Sequence, residues 1–460
     1  MTAQSRRPAR WVVVGAGWSG LACAVEAARQ GVAVTLVDAA PTLGGRARRV
    51  DLQIGDREFT VDNGQHLLLG ACTETIGLMR RLGVDPDQAL LSQPFTVRYP
   101  DGWRFGAAGA PAPLHLALGL LGARRVPWRD RIALAAWVAQ QQRNRWQVSA
   151  DRPVATLLQT QSEALVRRLW RPLCIAAMNA EPAQTSASMF LNLLRLTLGA
   201  SEPDSRLLLT RRDLSSTMPE AARRYLEQAG ATVLVRQLAT ALARSDRGWS
   251  VSLREQRLEA DRVVLALPAE PAARLLESAS IEALGPAIAG LRNLQYEPIA
   301  TVYLRYPGGT RLPEPVYALL DEPAQGRPGQ WVFDRGRIDP VHQGIFSVVI
   351  GAPALRVESD RSALCAAADR QLSSDFGLPL SIAQNIVIER RATLRPDVGL
   401  QRPASRLPAE GLYLAGDIAD SPFPSTLEGS VRSGLEAARL AMADATSDPF
   451  RSGGRRGNRN

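Results

Sequence analysis

The chain has 460 residues, enough to bury a large core and, at ordinary domain sizes, to form about three domains. A composition of 45% hydrophobic and 22% charged residues excludes a disordered or fibrous protein, and no apolar run reaches the ~18 residues of a membrane-spanning helix. The net charge is +10 and all 55 basic residues are Arg, a pattern that codon bias in a GC-rich genome accounts for first and that also suits an anionic membrane or acidic partners; scattered Arg with few aromatics between them and no nucleic-acid module argue against nucleic acid.

Cys23, Cys72, Cys174 and Cys365 form no CxxC, and three histidines are too few for a multi-histidine metal site. A reducing cytoplasm is expected, with neither disulfides nor a bound metal. The N-terminal MTAQSRRPAR has no apolar signal segment and leads straight into the first predicted strand.

That strand, Val12–Val14, runs into Gly15-x-Gly17-x-x-Gly20 with Trp18 and Ser19 inside the turn. A helix reaches Gly31, and a second strand, AVTLVD, ends at Asp38. Strand, glycine turn, helix, strand and acid in this order predict a dinucleotide-binding unit. Gly15 permits the tight turn, Gly17 lets backbone approach a pyrophosphate, and Gly20 lets helix and strand pack closely. Asp38 suits ribose hydroxyls. In PTLGGRARR, Gly45 and Arg46 offer either a phosphate contact or an ordinary surface turn.

A strand pair is predicted next, ending in Asp62-Asn63-Gly64-Gln65-His66. Gly64 would let a flat ring lie on backbone; His66 is either a site residue or a histidine satisfied by structure. The helix TETIGLMRRLG closes this block, 9–80. Residues 81–204 turn mostly helical. Within them 113–142 mixes Leu-rich stretches with Arg124, Arg125 and Trp128, as either an interfacial element at a lipid entrance or an amphipathic pair packed on the core. Alternating α/β character returns over 205–275, ending in the strand VVLALP. The stretch 276–384 holds the strands IATVYLRY and GIFSVVIGA and the helix SALCAAADRQLSSDFG. The stretch 385–445 carries the strand GLYLAGD, ending at Gly416 and Asp417, and a helix starting near Ser425, Thr426 and Leu427, each of the first two a candidate cap. The Gly/Arg-rich tail 446–460 reads as disordered.

The ordered set GAGWSGL, Asp38, GGR, DNGQH, VVLALP and GLYLAGD with PSTLEGSVRSG resembles the FAD-dependent amine oxidase and phytoene desaturase superfamily across 10–440. Within it, DNGQHLLLGACTET and LWRPLCIAAMNAEPAQTSA resemble the hydroxysqualene dehydroxylases, the squalene-associated flavoproteins of bacterial hopanoid pathways. The superfamily more often has Glu where this chain has Asp38, which keeps both acceptor oxygens. The resemblance implies an α/β fold: a Rossmann-like FAD-binding domain of the two-dinucleotide-binding type, discontinuous over 9–80, 205–275 and 385–445. It is interleaved with an α+β substrate domain, 81–204 and 276–384, that carries the helical insert. FAD is then expected on Gly15, Gly17, Trp18, Ser19, Gly20, Asp38, Gly45 and Arg46, with adenine near Val235 or Leu238. The flavin ring is expected beside Gly64, Gln65 and His66, with Gly416, Asp417, Thr426 and Leu427 completing the site.

The implied reaction is reductive dehydroxylation of hydroxysqualene to squalene. His66, Asp62 and Glu428 are candidate proton donors to the departing oxygen. Trp170 and Asn179 are candidates for lining the substrate cavity, with plain core packing as the alternative for Trp170. The other enzyme reading is a carotenoid-type desaturase or isomerase, and the non-enzymatic one an isoprenoid carrier. An amine oxidase with a Lys-held water is disfavoured in a chain without Lys. A C30 isoprenoid substrate places the protein on the cytoplasmic face of the inner membrane, beside squalene-synthase-like enzymes.

Overall fold

Trp11 and three β-branched valines make β1 (Arg10–Val14) a strand buried on both faces, as the centre of a parallel sheet requires. On one side β1 pairs in parallel with β2 (Ala33–Val37), followed by Thr232–Leu234; on the other it pairs with Arg262–Leu265, followed by Leu412–Leu414. The sheet therefore gathers strands from widely separated parts of the chain. One face is covered by α1 (Trp18–Arg29) and the C-terminal helix Leu427–Thr446. The two helices cross at Gly434, where a Cβ would lie 2.1 Å from the Ser19 carbonyl oxygen. The computed structural model describes residues 9–106, 114–197, 199–246, 248–355 and 360–446.

A second, antiparallel sheet has the order Val316–Ala318, Trp331–Asp334, Ile345–Ile350, Tyr296–Arg305, Ala383–Leu394. The helix Arg361–Phe376 packs on it. The expected boundary at 385 needs correcting here. Residues 383–394 pair along the length of Tyr296–Arg305, so this stretch belongs to the antiparallel sheet, and the chain returns to the parallel sheet only at Leu412. The hairpin of β3 (Arg49–Ile54) and β4 (Arg57–Asp62) packs on the antiparallel sheet, its Ile54 and Val61 against Tyr303 and Ile345.

The helical insert has its own aromatic centre, with Trp137 and Trp170 rings 4.4 Å apart and Trp146 and Phe190 edge-on around them. Among the described residues no helix is long and apolar enough to cross a membrane. The expected disordered tail lies almost wholly outside the described residues.

Candidate cofactor and active site

The three glycines of the first turn face different surroundings. Gly15 has φ +105°, and a Cβ there would sit 2.2 Å from the Ala266 carbonyl oxygen. A Cβ on Gly20 would sit 1.8 Å from the Gly15 carbonyl oxygen. Both are fixed by the protein's own packing. Gly17 is different, because its Cβ would meet only the Gly45 Cα, at 4.0 Å. The loop holding Gly45 lies alongside, with Gly44 N–H donating to the Ala16 carbonyl at 2.9 Å. At Gly17, α1 begins with no side-chain cap and no acid in its first turn, so its positive end is directed at this open face. A backbone floor of Gly17 and Gly45 beneath an uncapped helix start fits a pyrophosphate. Trp18 and Ser19 turn their side chains inward. The Trp18 indole donates to the Ala47 carbonyl at 2.9 Å, and Ser19 packs beneath Gly416. Any contact they make with phosphate is through backbone.

Asp38 closes the same turn. Its carboxylate accepts from Ala16 N–H at 2.5 Å and Ala40 N–H at 2.7 Å, leaving lone pairs on both oxygens. The loop after Thr232–Leu234 pairs with this corner: Asp38 N–H donates to Leu234, Gln237 N–H to Asp38, and Arg236 N–H to Ala40. Val235 is half-buried against the core and Leu238 is exposed. Both flank Asp38, where adenosine is expected.

Arg46 is not a free guanidinium. It pairs with Asp417 at 2.7 Å, donates to the Arg391 and Ala392 carbonyls, and lies over the Tyr296 ring. Asp417 also accepts from the Ser425 hydroxyl at 2.9 Å. Arg46 thus locks the GGR loop to the Gly416–Asp417 turn and to the end of the antiparallel sheet. Thr426 is the cap: its hydroxyl accepts from Gly429 N–H at 3.1 Å, and Leu427 begins the helix. Tyr296 and Arg402, which donates to the Asp417 and Phe423 carbonyls, had no signal in the sequence because both act on partners distant from any motif.

The DNGQH segment lies against the antiparallel sheet. Tyr303 hydroxyl donates to the Asp62 carbonyl, and Ser347 hydroxyl to the Gln65 side chain. His66 is partly exposed; its Nδ1 is 2.8 Å from the Gly64 carbonyl oxygen, so Nδ1 carries a proton, and Nε2 has no hydrogen-bond partner among the described residues. Burial holds its pKa below the ordinary value, the Gly64 bond acting the other way.

The other two candidate acids are held inside the protein. Glu428 accepts from Glu74 N–H, Thr75 N–H and the Thr75 hydroxyl, and pairs with Arg432 at 2.7 Å. It caps the start of α2 (Thr73–Arg81), a structural role that commits both oxygens. Asp62 accepts from Leu214 N–H at 2.7 Å, and its second oxygen is buried beside the Thr210 hydroxyl. Burial pushes the Asp62 carboxyl up to about 7, with the buried Arg335 opposing the rise and Asp213 adding to it.

Between the unfolded value of 3.8 and about 7 the folded state therefore holds the extra proton, and stability falls as pH rises through this window. From pH 5 to 7.5 the loss is on the order of 3 kcal/mol. Asp62→Asn keeps the acceptor for Leu214 and removes the titration. Denaturant unfolding at the two pH values should show a smaller fall for the variant than for the parent chain.

The two candidate cavity residues are structural. Trp170 is buried in the aromatic centre, its indole donating to Gln161 at 3.1 Å. Asn179 ends the helix Arg171–Met178 with φ +55° and uses its amide fully, donating to the Pro298 carbonyl and Thr393 hydroxyl and accepting from Ala352 N–H. It clips the helical insert to the antiparallel sheet instead of facing a cavity.

Comparison with known proteins agrees with this architecture. Residues 18–442 match the family described as flavin containing amine oxidoreductase. The chain is 30% identical over 450 residues to the hydroxysqualene dehydroxylase of Rhodopseudomonas palustris, covering 94% of this chain and 98% of that one. To the hydroxysqualene dehydroxylase of Sinorhizobium fredii it is 29% identical over 453 residues, with the same coverage. The solved cyclohexylamine oxidase of Brevibacterium oxydans shares the fold at a TM-score of 0.68 and 16% identity, covering 96% of this chain and 100% of that one.

Proposed function

The chain belongs to the flavin containing amine oxidoreductases and, within them, to the hydroxysqualene dehydroxylases, a premise from which we propose that it reduces hydroxysqualene to squalene. It is an FAD-dependent oxidoreductase, and the Gly17–Gly45 floor, the Asp38 corner and the Gly416–Asp417 turn fit that cofactor. The observation that carries the substrate is the end-to-end match to two hydroxysqualene dehydroxylases, 94% of this chain against 98% of each.

The overall change is R–OH plus a hydride and a proton to R–H plus water. FAD, once reduced, supplies the hydride. The protein must keep the C30 chain dry, orient the C–O bond and deliver a proton to the departing oxygen, because hydroxide is a poor leaving group. Of the three candidate acids, only His66 combines partial exposure with a nitrogen not already engaged. The Gly64 carbonyl fixes its ring, and we assign Nε2 the proton that goes to oxygen. A substrate of this kind partitions into hydrocarbon. The reading therefore puts the protein on the cytoplasmic surface of the inner membrane, beside squalene-synthase-like enzymes.

The test is incubation of the purified flavoprotein with hydroxysqualene in detergent, with and without reductant, and with phytoene in parallel. Squalene formed only under reducing conditions is expected. Desaturation of phytoene with no squalene formed would replace this reading by a carotenoid desaturase.

A further inference from the structure

We propose that the turn joining the helices Leu114–Leu121 and Trp128–Arg143, with the outer face of the second helix, docks on an anionic phospholipid bilayer. The proposal names the partner for the surface location given above, and rests on that reading for its purpose but not for its evidence.

The first observation is an apolar face without a protein partner among the described residues. Leu121 is 73% exposed, Trp128 70%, Ile132 50% and Leu118 46%. Trp128, Ile132, Ala135 and Ala136 are all exposed and follow helical spacing, while Leu134, Trp137 and Gln141 are buried on the opposite side. The second helix is thus apolar on two sides, one facing the core and one facing outward. An outward apolar face of this kind marks an interaction surface.

The second observation is charge. Arg124, Arg125 and Arg129 are all exposed and lie close to Leu121 and Trp128 in sequence. Cations beside an amphipathic indole are suited to the headgroup layer of an anionic bilayer.

The third observation selects a bilayer over water or a loose protein contact. Several of the turn's carbonyls are already paired from within. The half-buried Arg131 ends in a guanidinium that donates to the Val126 carbonyl at 3.0 Å, the Leu121 carbonyl at 2.9 Å and the Ala123 carbonyl at 2.6 Å. Arg124 exchanges two backbone hydrogen bonds with Arg104, and Gly122 N–H donates to the Leu118 carbonyl. Carbonyls that would be costly to carry into hydrocarbon are thereby paired before contact. With no spanning helix among the described residues, this tip lies in the interface and does not cross.

Co-sedimentation of the full flavoprotein with vesicles of phosphatidylcholine alone, or with phosphatidylglycerol added, tests the proposal at physiological salt. Binding is expected to the anionic vesicles and to be at least tenfold weaker to the neutral ones. Each of Arg124→Gln, Arg125→Gln and Arg129→Gln should lower partitioning about fivefold. The triple variant Leu121→Ser, Trp128→Ser, Ile132→Ser changes only exposed side chains and should retain flavin absorbance while losing binding. Brominated lipid should quench the parent chain's tryptophan fluorescence and leave Trp128→Phe largely unquenched, the other indoles being mostly buried. Equal binding of the parent and triple variants would overturn the proposal. So would conversion of a dimer to a monomer by the triple variant with vesicle binding unchanged, which would assign the face to a second copy. Squalene formation in detergent without vesicle binding removes the docking surface alone; vesicle binding without squalene formation removes the substrate reading alone.

Discussion

Gly17→Ala is expected to give a folded, colourless protein. The added methyl meets nothing of the protein closer than the Gly45 Cα at 4.0 Å, so the loop and α1 can form unchanged. The methyl instead occupies the open side of the floor, where a pyrophosphate must approach the backbone. Losing two charge-assisted hydrogen bonds there costs about 3 kcal/mol or more, which lowers FAD affinity roughly 100-fold. The flavin-to-protein absorbance ratio of the purified variant and a titration with added FAD measure it, with the unfolding midpoint of the FAD-free proteins as control. Gly20→Ala is the contrasting case. Its Cβ would overlap the Gly15 carbonyl oxygen at 1.8 Å, so α1 and the first turn cannot both keep their places, and loss of soluble protein is expected. A Gly17→Ala protein as yellow as the parent would show that the open floor is not the phosphate site.

The contrast also shows what a sequence can reveal. The glycine turn is legible because its parts lie within one strand, one turn and one helix, and their backbone demands are local. The Arg46–Asp417 pair is half-legible: each residue stands in a motif, but nothing in either motif shows that they join, or that Tyr296 lies beneath the guanidinium. Arg335 was invisible. A fully buried guanidinium is unusual, yet among 55 Arg residues no pattern singles out the one placed near Asp62. Glu428 shows the opposite failure. An acid at the start of a helix beside the GD motif suggests chemistry, but its partners are the Glu74 and Thr75 amides of a helix in another part of the chain. Asn179 likewise looked available for substrate until its left-handed backbone and three hydrogen bonds were visible. Residues whose roles depend on distant partners were misread in both directions.

His66→Gln separates the acid from its neighbours. If His66 protonates the departing oxygen, the variant should lose roughly 10²- to 10⁴-fold in kcat, the usual contribution of a positioned general acid. Its flavin spectrum should stay that of the parent, because the glutamine amide can still donate to the Gly64 carbonyl. Asp62→Asn and Glu428→Gln should stay within about tenfold of the parent, since Asp62 is buried inside the protein and both Glu428 oxygens are engaged. The pH profile gives a second, independent reading. Burial lowers the pKa of His66 from 6.5, and an acid must hold its proton to act, so the active fraction shrinks as pH rises through and above that lowered value. The parent's kcat/KM should therefore climb toward acid pH and fall about tenfold per unit on the neutral side. His66→Gln should flatten that slope as well as lower the rate. A low rate with the slope intact would mean that His66 only positions Gly64, and that the titrating acid is another group. Rate and slope lost together, with FAD retained, is the result that a packing role at the same position cannot produce.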